Sequence, residues 1–276
     1  ATAAPPCRAC GAPLNHTFVD LGMSPLCQTQ IQRNELNRGE NFYPLHVWLC
    51  TDCWLVQLQG YVSPQVVFSE TYPYFSSFSD SWVEHARRYA SKMMAEQGIG
   101  KSSLVVELAS NDGYLLQHFL AAGVRCLGVE PTASTAKAAR EKGIPTVGEF
   151  FGTALAQRLR GEHGAADLVL GNNVLAHVPD LNDFVEGVAR LLGPGGFCTF
   201  EFPHLMRLME FNQFDTIYHE HFSYFSFSTV ARVFASHGLA MFDVEELPTH
   251  GGSLRGYAQP AAPGRRSRTR RGDALL

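Results

Sequence analysis

The chain has 276 residues, 45% of them hydrophobic and 17% charged, with a formal net charge of −4. This size and balance suit a soluble globular enzyme of one large domain or two modest ones, and no apolar run approaches the roughly 20 residues of a membrane-spanning helix. Arg265, Arg266, Arg268, Arg270 and Arg271 crowd the C-terminal end, so the body before them is distinctly acidic; a broad phosphate-backbone footprint, and hence a nucleic-acid partner, is not expected.

The first residues, Ala1-Thr2-Ala3-Ala4-Pro5-Pro6, show no basic patch followed by an apolar stretch. A cytoplasmic setting is therefore expected, in which cysteines stay reduced and serve as metal ligands more often than as disulfides. Cys7-Arg8-Ala9-Cys10 and Cys50-Thr51-Asp52-Cys53 form two Cys-x-x-Cys knuckles. Together they complete a tetrahedral four-cysteine zinc site, which is structural because no ligand position stays open. A redox-active motif is the alternative for either pair alone. Residues 1–60 thus read as a zinc-binding module, with Cys27 a spare thiol. His16 and His46 lie close enough to replace a cysteine ligand, though nothing requires it.

Residues 61–100 begin aromatic-rich, with Tyr72, Tyr74, Phe75 and Phe78, and continue in a helical pattern from Ser81 to Met94. From Ser103 onward strands and helices alternate. Strands are predicted at 104–108, 126–130, from Pro145, at 167–171 and at 197–202, with helices at 114–122 and 133–142. Cys126 and Cys198 fall within strands as core cysteines. This alternation predicts an α/β, Rossmann-like, doubly wound parallel sheet with its ligand at the carboxyl ends of the strands.

The loop Glu107-Leu108-Ala109-Ser110-Asn111-Asp112-Gly113 follows the first of these strands, where such a fold places a cofactor. It lacks the three glycines of the dinucleotide fingerprint. Such a polar loop suits a cofactor with a cationic sulfonium and an amino-acid end. Glu130, closing the next strand, is placed to accept hydrogen bonds from ribose hydroxyls. Phe150 is either a stacking partner for an adenine or a phenylalanine at the core's edge. Further on, Tyr218-His219-Glu220-His221-Phe222-Ser223-Tyr224-Phe225-Ser226 gathers two imidazoles, a carboxylate and two phenols with no lysine or arginine among them. Histidine moves protons near neutral pH, and a neighbouring carboxylate orients it or raises its basicity.

Residues 107–113, Glu130, the strand 167–173 and the turn Gly193-Pro194-Gly195-Gly196 resemble, in order and spacing, the motifs of class I S-adenosylmethionine-dependent methyltransferases. Ala109 and Asn111 stand where that pattern has glycines. The resemblance implies a cofactor site built from Glu107, Ala109, Asn111, Asp112, Gly113, Glu130, Phe150 and Asn172. Joined to the four cysteines, Leu21-Gly22-x-x-Pro25-Leu26, His177-Val178-Pro179-Asp180, Tyr218-His219-Glu220-His221 and His250-Gly251-Gly252-Ser253-Leu254-Arg255, the chain resembles the deoxysugar C-methyltransferases of antibiotic biosynthesis. Those enzymes methylate a nucleotide-linked 4-keto hexose beside its ketone.

That resemblance implies His221 as the base, Glu220 orienting it or touching substrate, and Tyr218, Tyr72 and His177 polarising the ketone or fixing the sugar. It sets the methyltransferase core at 101–257 and implies a further C-terminal domain beyond it. Here residues 258–276 instead read as a disordered arginine-rich tail, in the manner of a truncation or frameshift. Two alternatives remain: a zinc-containing RNA methyltransferase, and a fragment that binds the cofactor without turnover.

Overall fold

The computed structural model describes residues 4–27, 31–63, 74–262 and 266–274; Tyr72 lies outside the described residues. In a small antiparallel sheet, one cysteine knuckle precedes the first strand and the other joins the second strand to the third. Its strands are β1 (His16–Ser24), β2 (Tyr43–Leu49) and β3 (Val56–Leu58), with His16 opposite Leu49 and Val47 opposite Leu58. Only three side chains of β3 are needed to seal it, because Val56, Gln57 and Leu58 are all buried.

Helix α1 (Asp80–Gln97) then crosses to the larger half. Ser79 starts it by accepting from the Trp82 amide at 3.4 Å, and Gly98 ends it in a left-handed conformation at φ 72°, the ordinary devices for satisfying helix ends. Trp82, Ala86, Tyr89, Ala90 and Met93 recur at helical spacing and form its buried face.

The remaining elements are β4 (Leu104–Leu108), α2 (Leu116–Ala121), β5 (Arg125–Val129), α3 (Ala133–Glu141), β6 (Thr146–Val147), α4 (Thr153–His163), β7 (Ala166–Asn172), α5 (Leu181–Leu191), β8 (Leu192–Pro203), α6 (Leu205–Glu210), β9 (Ser223–Tyr224), α7 (Phe227–Ser236), β10 (Leu239–Leu247), β11 (Ser253–Pro260) and α8 (Arg270–Ala274). Seven strands form one sheet in the order β10-β11-β8-β7-β4-β5-β6. The pairs among β8, β7, β4, β5 and β6 are parallel, while β11 runs antiparallel to both β8 and β10. The chain winds outward from β4 in both directions, so the crevice at the carboxyl ends of β4 and β7 is the switch point where such sheets bind ligands. This is the Rossmann-like α/β architecture that the strand–helix alternation predicts.

Two details differ from the sequence expectation. The Gly193–Gly196 segment is not a free turn but lies within β8, between Leu192, paired with Ala166 of β7, and Phe197, paired with Leu168. Residues 258–262 and 266–274 are not a disordered tail, for β11 runs to Pro260 and Arg266–Ala274 packs back on the sheet. Arg271 Nη2 lies 2.6 Å from Asp243 Oδ2, the Thr269 amide donates to the Phe242 carbonyl at 2.8 Å, and the Arg266 guanidinium sits 4.6 Å from the Phe197 ring centre. Acids on β10 and exposed edges of core aromatics supply what a solvated arginine run lacks. No helix among the described residues is long and apolar enough to cross a membrane.

The two sheets are joined. Strand β9 leaves the large half and pairs with β3, setting Tyr224 opposite Val56 and Ser223 opposite Gln57. Cys7, Leu14, Cys50, Cys53 and Leu55 share one apolar core with Val230 and Phe234 of α7 and Phe200 of β8.

Candidate active site and metal centre

Cys7, Cys10, Cys50 and Cys53 converge, with all four sulfurs within 4.8 Å of one another. Cys7 Sγ and Cys53 Sγ are 3.5 Å apart, and Cys10 Sγ and Cys50 Sγ 3.6 Å. A tetrahedral site with bonds of about 2.3 Å sets its sulfurs ~3.8 Å apart, so the cluster fits one ion with little adjustment. Each knuckle closes the same way. The Gly11 and Trp54 amides return to the carbonyls of Cys7 and Cys50, at 2.9 Å each, with both residues at positive φ. Buried Gln57 donates to Cys7 Sγ at 3.0 Å while its oxygen accepts from the Arg8 amide at 2.9 Å. That outer contact orients a ligand and favours its thiolate. His16 and His46 are not part of the cluster.

A cleft of about 350 Å³ opens at the carboxyl ends of β4, β5 and β7. One wall holds Ala109, Asn111, Glu130, Phe150 and Asn172. Ala109 and Asn111 adopt φ of 55° and 49°, which is why a glycine-poor loop can still turn beside the strand. Glu130 accepts from the Asn111 amide through Oε2 and from the Thr132 amide through Oε1, both at 2.9 Å. The Thr132 and Thr135 hydroxyls also hydrogen-bond this carboxylate. Burial nevertheless raises its carboxyl above the usual range. Asn172, only 8% exposed, has the Tyr114 hydroxyl as the nearest partner of its amide and no close hydrogen bond besides. A buried amide so thinly partnered on a cleft wall is the kind of group a polar ligand satisfies.

Three residues expected at the cofactor lie behind that wall rather than on it. Glu107 is fully buried beneath the loop, and desolvation pushes its carboxyl far up, opposed by the Leu116 backbone amide. Asp112 turns away to Lys142 Nζ at 3.1 Å and to the Ser77 hydroxyl. Gly113, at φ 77°, leaves no room for a β-carbon, which would meet Ile144 Cδ1 at 2.2 Å. These three shape the loop from below. Asn111 also reaches outward, accepting from the Ser76 amide at 2.9 Å and donating to the Tyr74 carbonyl at 3.1 Å, which brings the aromatic segment over the cleft.

The opposite wall holds Tyr218, Glu220, His221 and His177. His221 Nδ1 faces the Thr216 carbonyl at 2.8 Å, so Nδ1 carries the proton and Nε2 keeps its lone pair. Tyr218 Oη, 2.9 Å away, donates to that lone pair. Desolvation lowers the His221 imidazole to about 4, with the Thr216 carbonyl opposing the shift; Tyr218 is held protonated by the same burial. His177 stands edge-on to His221 with ring centres 4.7 Å apart, and desolvation drives its basicity far down. Both rings are therefore neutral at physiological pH. The Phe222 amide donates to the Ala176 carbonyl at 2.7 Å, locking the His177 turn to the His221 turn.

The two imidazoles of the cluster part company. His219 turns to the small sheet, where Nε2 meets the Pro44 carbonyl at 3.2 Å between Tyr43 and Tyr61. Cys27, expected as a spare thiol, donates to Glu220 Oε1 at 3.1 Å, and burial keeps it protonated as a donor.

The halves of the chain match known families separately. Residues 7–68 match a family described as a "putative zinc binding domain", and residues 82–244 match a methyltransferase domain. The chain belongs to the methyltransferase-domain family. It is 38% identical to the C-methyltransferase NovU of Streptomyces niveus over 256 residues, which are 93% of this chain and 61% of the relative. It thus spans about three-fifths of that relative's length. Among solved structures, the CcbJ methyltransferase of Streptomyces caelestis aligns with a TM-score of 0.51 at 14% identity, covering 64% of this chain and 90% of that one. Magnesium protoporphyrin IX methyltransferase of Synechocystis with bound SAH aligns at 0.50 and 16%, covering 64% and 82%. These two share the class I methyltransferase fold.

The methyltransferase cleft contains residues that sequence reasoning left without a role. Trp82, Tyr114, Asn173 and His250 all line it. His250 sits inside a motif quoted above, but its neighbours in sequence say nothing of the cleft. Trp82 and Tyr114 look like ordinary helix-face aromatics. Only the fold stacks them, with ring centres 5.9 Å apart.

Proposed function

We propose that the chain uses S-adenosylmethionine to methylate carbon beside the ketone of a nucleotide-linked 4-keto deoxysugar, after removing the proton from that carbon. The observation that carries this reading is the tautomer of His221, which directs an unprotonated Nε2 into the cleft beside a phenol donor. The 38% identity to a C-methyltransferase supports transfer to carbon, and the motif resemblance supports the sugar. Glu130 would hold the ribose, and Asn172 with the 109–111 loop the rest of the cofactor, which supplies an electrophilic methyl group when bound. The four cysteines would hold one structural zinc ion.

A ketone oxygen entering the cleft competes with Nε2 for the Tyr218 hydroxyl. Handing that donor to the oxygen frees the Nε2 lone pair for the α-proton. The same donor then lies where enolate charge develops. The C–H electron pair passes into the enolate; the bound cofactor would supply the methyl group to that carbon, its sulfur keeping the electron pair of the broken S–C bond as a thioether, and the fold supplies mainly proximity. Glu220, braced by Cys27, and His177 border the sugar. Among the described residues the cleft lining includes no lysine or arginine, which favours the sugar, rather than its diphosphate or an RNA backbone, as the group inside.

Replacing His221 with Asn and following solvent exchange of the substrate's α-proton tests the assignment. Exchange is expected to slow by about 10²–10⁴-fold, and an unchanged rate would remove His221 from the base role. One rival reading is cofactor binding without turnover. Calorimetry with the cofactor, followed by an assay with the keto sugar nucleotide, separates the two.

A further inference from the structure

His250 is a second imidazole presented to the cleft by a purpose-shaped turn. It stands at φ 51° and ψ 41°, and Gly251 and Gly252 follow at φ 75° and 115°. A left-handed residue bearing a β-carbon is unfavourable on its own and persists where the surroundings over-determine it. Here they do. A β-carbon at Gly251 would meet the Gln213 amide at 2.5 Å and one at Gly252 the Arg207 side chain at 2.7 Å. Gln213 Nε2 donates to the Gly251 carbonyl at 2.8 Å, the His204 amide to the Gly252 carbonyl at 3.0 Å, and Ser253 Oγ to the Thr249 carbonyl at 2.9 Å.

Below the turn, Thr249 Oγ1 donates to Glu201 Oε1 at 2.8 Å. That carboxylate is fully buried and is held on its other oxygen by Arg255 at 2.5 Å and His85 at 2.8 Å. The backbone around His250 is therefore anchored, whereas its ring has only a long contact. Asn173 Nδ2 lies 3.4 Å from both ring nitrogens, and Trp82 meets the ring edge-on at 4.9 Å. An amide that donates to one ring nitrogen leaves the other as an N–H donor toward the cleft.

We propose that His250 is a substrate-binding residue, donating its free N–H to an oxygen of the sugar and setting the ring's orientation between His221 and the methyl donor. This rests on the reading of the cleft as a keto-sugar site. A packing role for the ring would make its replacement destabilising. A binding role makes replacement costly only for the sugar, because Asn tolerates the left-handed backbone.

The test is His250→Asn in the full chain, with three readouts: thermal stability, calorimetric affinity for S-adenosylmethionine, and KM and affinity for a nucleotide 4-keto sugar. The expected result is a melting temperature equal to or above wild type, unchanged cofactor affinity, and a sugar KM raised about 10-fold, the loss of one hydrogen bond to a neutral partner. Sugar affinity within twofold of wild type, or stability and both affinities falling together, overturns it. The broader function fails differently: a wild-type chain that never exchanges the α-proton of any 4-keto sugar nucleotide sinks that reading, while calorimetric binding of the sugar still decides His250.

Discussion

The small sheet and the large sheet reach stability by different routes, and the segment from Tyr218 to Tyr224 belongs to both. The seven-stranded half buries two sizeable apolar clusters, one of which extends to Cys7, Leu14, Cys50, Cys53 and Leu55 of the cysteine module. The four-stranded half has one minor cluster, around Leu45, Val47, Val56, Leu58 and Tyr224, part of which comes from the other half. A region so short of core needs cross-links, and four thiolates around the proposed zinc ion would supply them. The difference teaches that the N-terminal module is a structural wall of the active site: it holds β3, β3 holds β9, and β9 follows directly on His221.

Breaking the module should therefore have the largest effect. In Cys50→Ser, metal content is expected to fall from about one ion per chain toward zero, since a four-cysteine site tolerates no missing ligand. The α-proton exchange should disappear with it, while calorimetric affinity for S-adenosylmethionine, whose proposed contacts all lie on the large half, declines far less. Equal loss of both would mean that the two halves are one cooperative unit and would dissolve the contrast.

Acid sharpens the contrast within the shared segment. His221 is lowered in the folded state to about 4, whereas an unfolded histidine titrates near 6.5. Below about pH 6.5 the unfolded chain binds this proton and the folded chain does not. Stability is thus full above that pH and lost as pH falls toward 4, by up to about 3 kcal/mol. Denaturant titrations of wild type against His221→Asn should show that slope shrinking in the variant. In kcat/KM, the free-enzyme acid limb should lie well below the ordinary histidine range, and a limb near 6.5 would show that the ring is solvated instead.

The smallest effect should come from the other imidazole. His219→Gln is expected to lower stability by about 1 kcal/mol, the net value of a hydrogen bond such as the one to the Pro44 carbonyl, and to leave α-proton exchange near wild type. A loss of exchange like that of His221→Asn would place His219 in the chemistry and erase the distinction.

Much of this molecule was legible before folding because its signals are local. Cys-x-x-Cys spacing forms a knuckle wherever it occurs, and the alternation from Leu104 to Phe202 dictates a parallel sheet. Glu130 at a strand end and His221 in its cluster were read for their chemistry, and both reach the cleft. Long-range pairing decided the rest. Glu107, Asp112 and Gly113 sit in the expected loop, yet which side of it faces ligand depends on the Ile144 and Lys142 packed behind. His219 and His221 are two residues apart, and only the pairing of β9 with β3 sends one to the small sheet and leaves the other in the cleft. His250 reaches that cleft from a turn 29 positions further on, because β11 lies beside β8. Neighbours along the chain set which groups are available; register between distant strands sets which way they face.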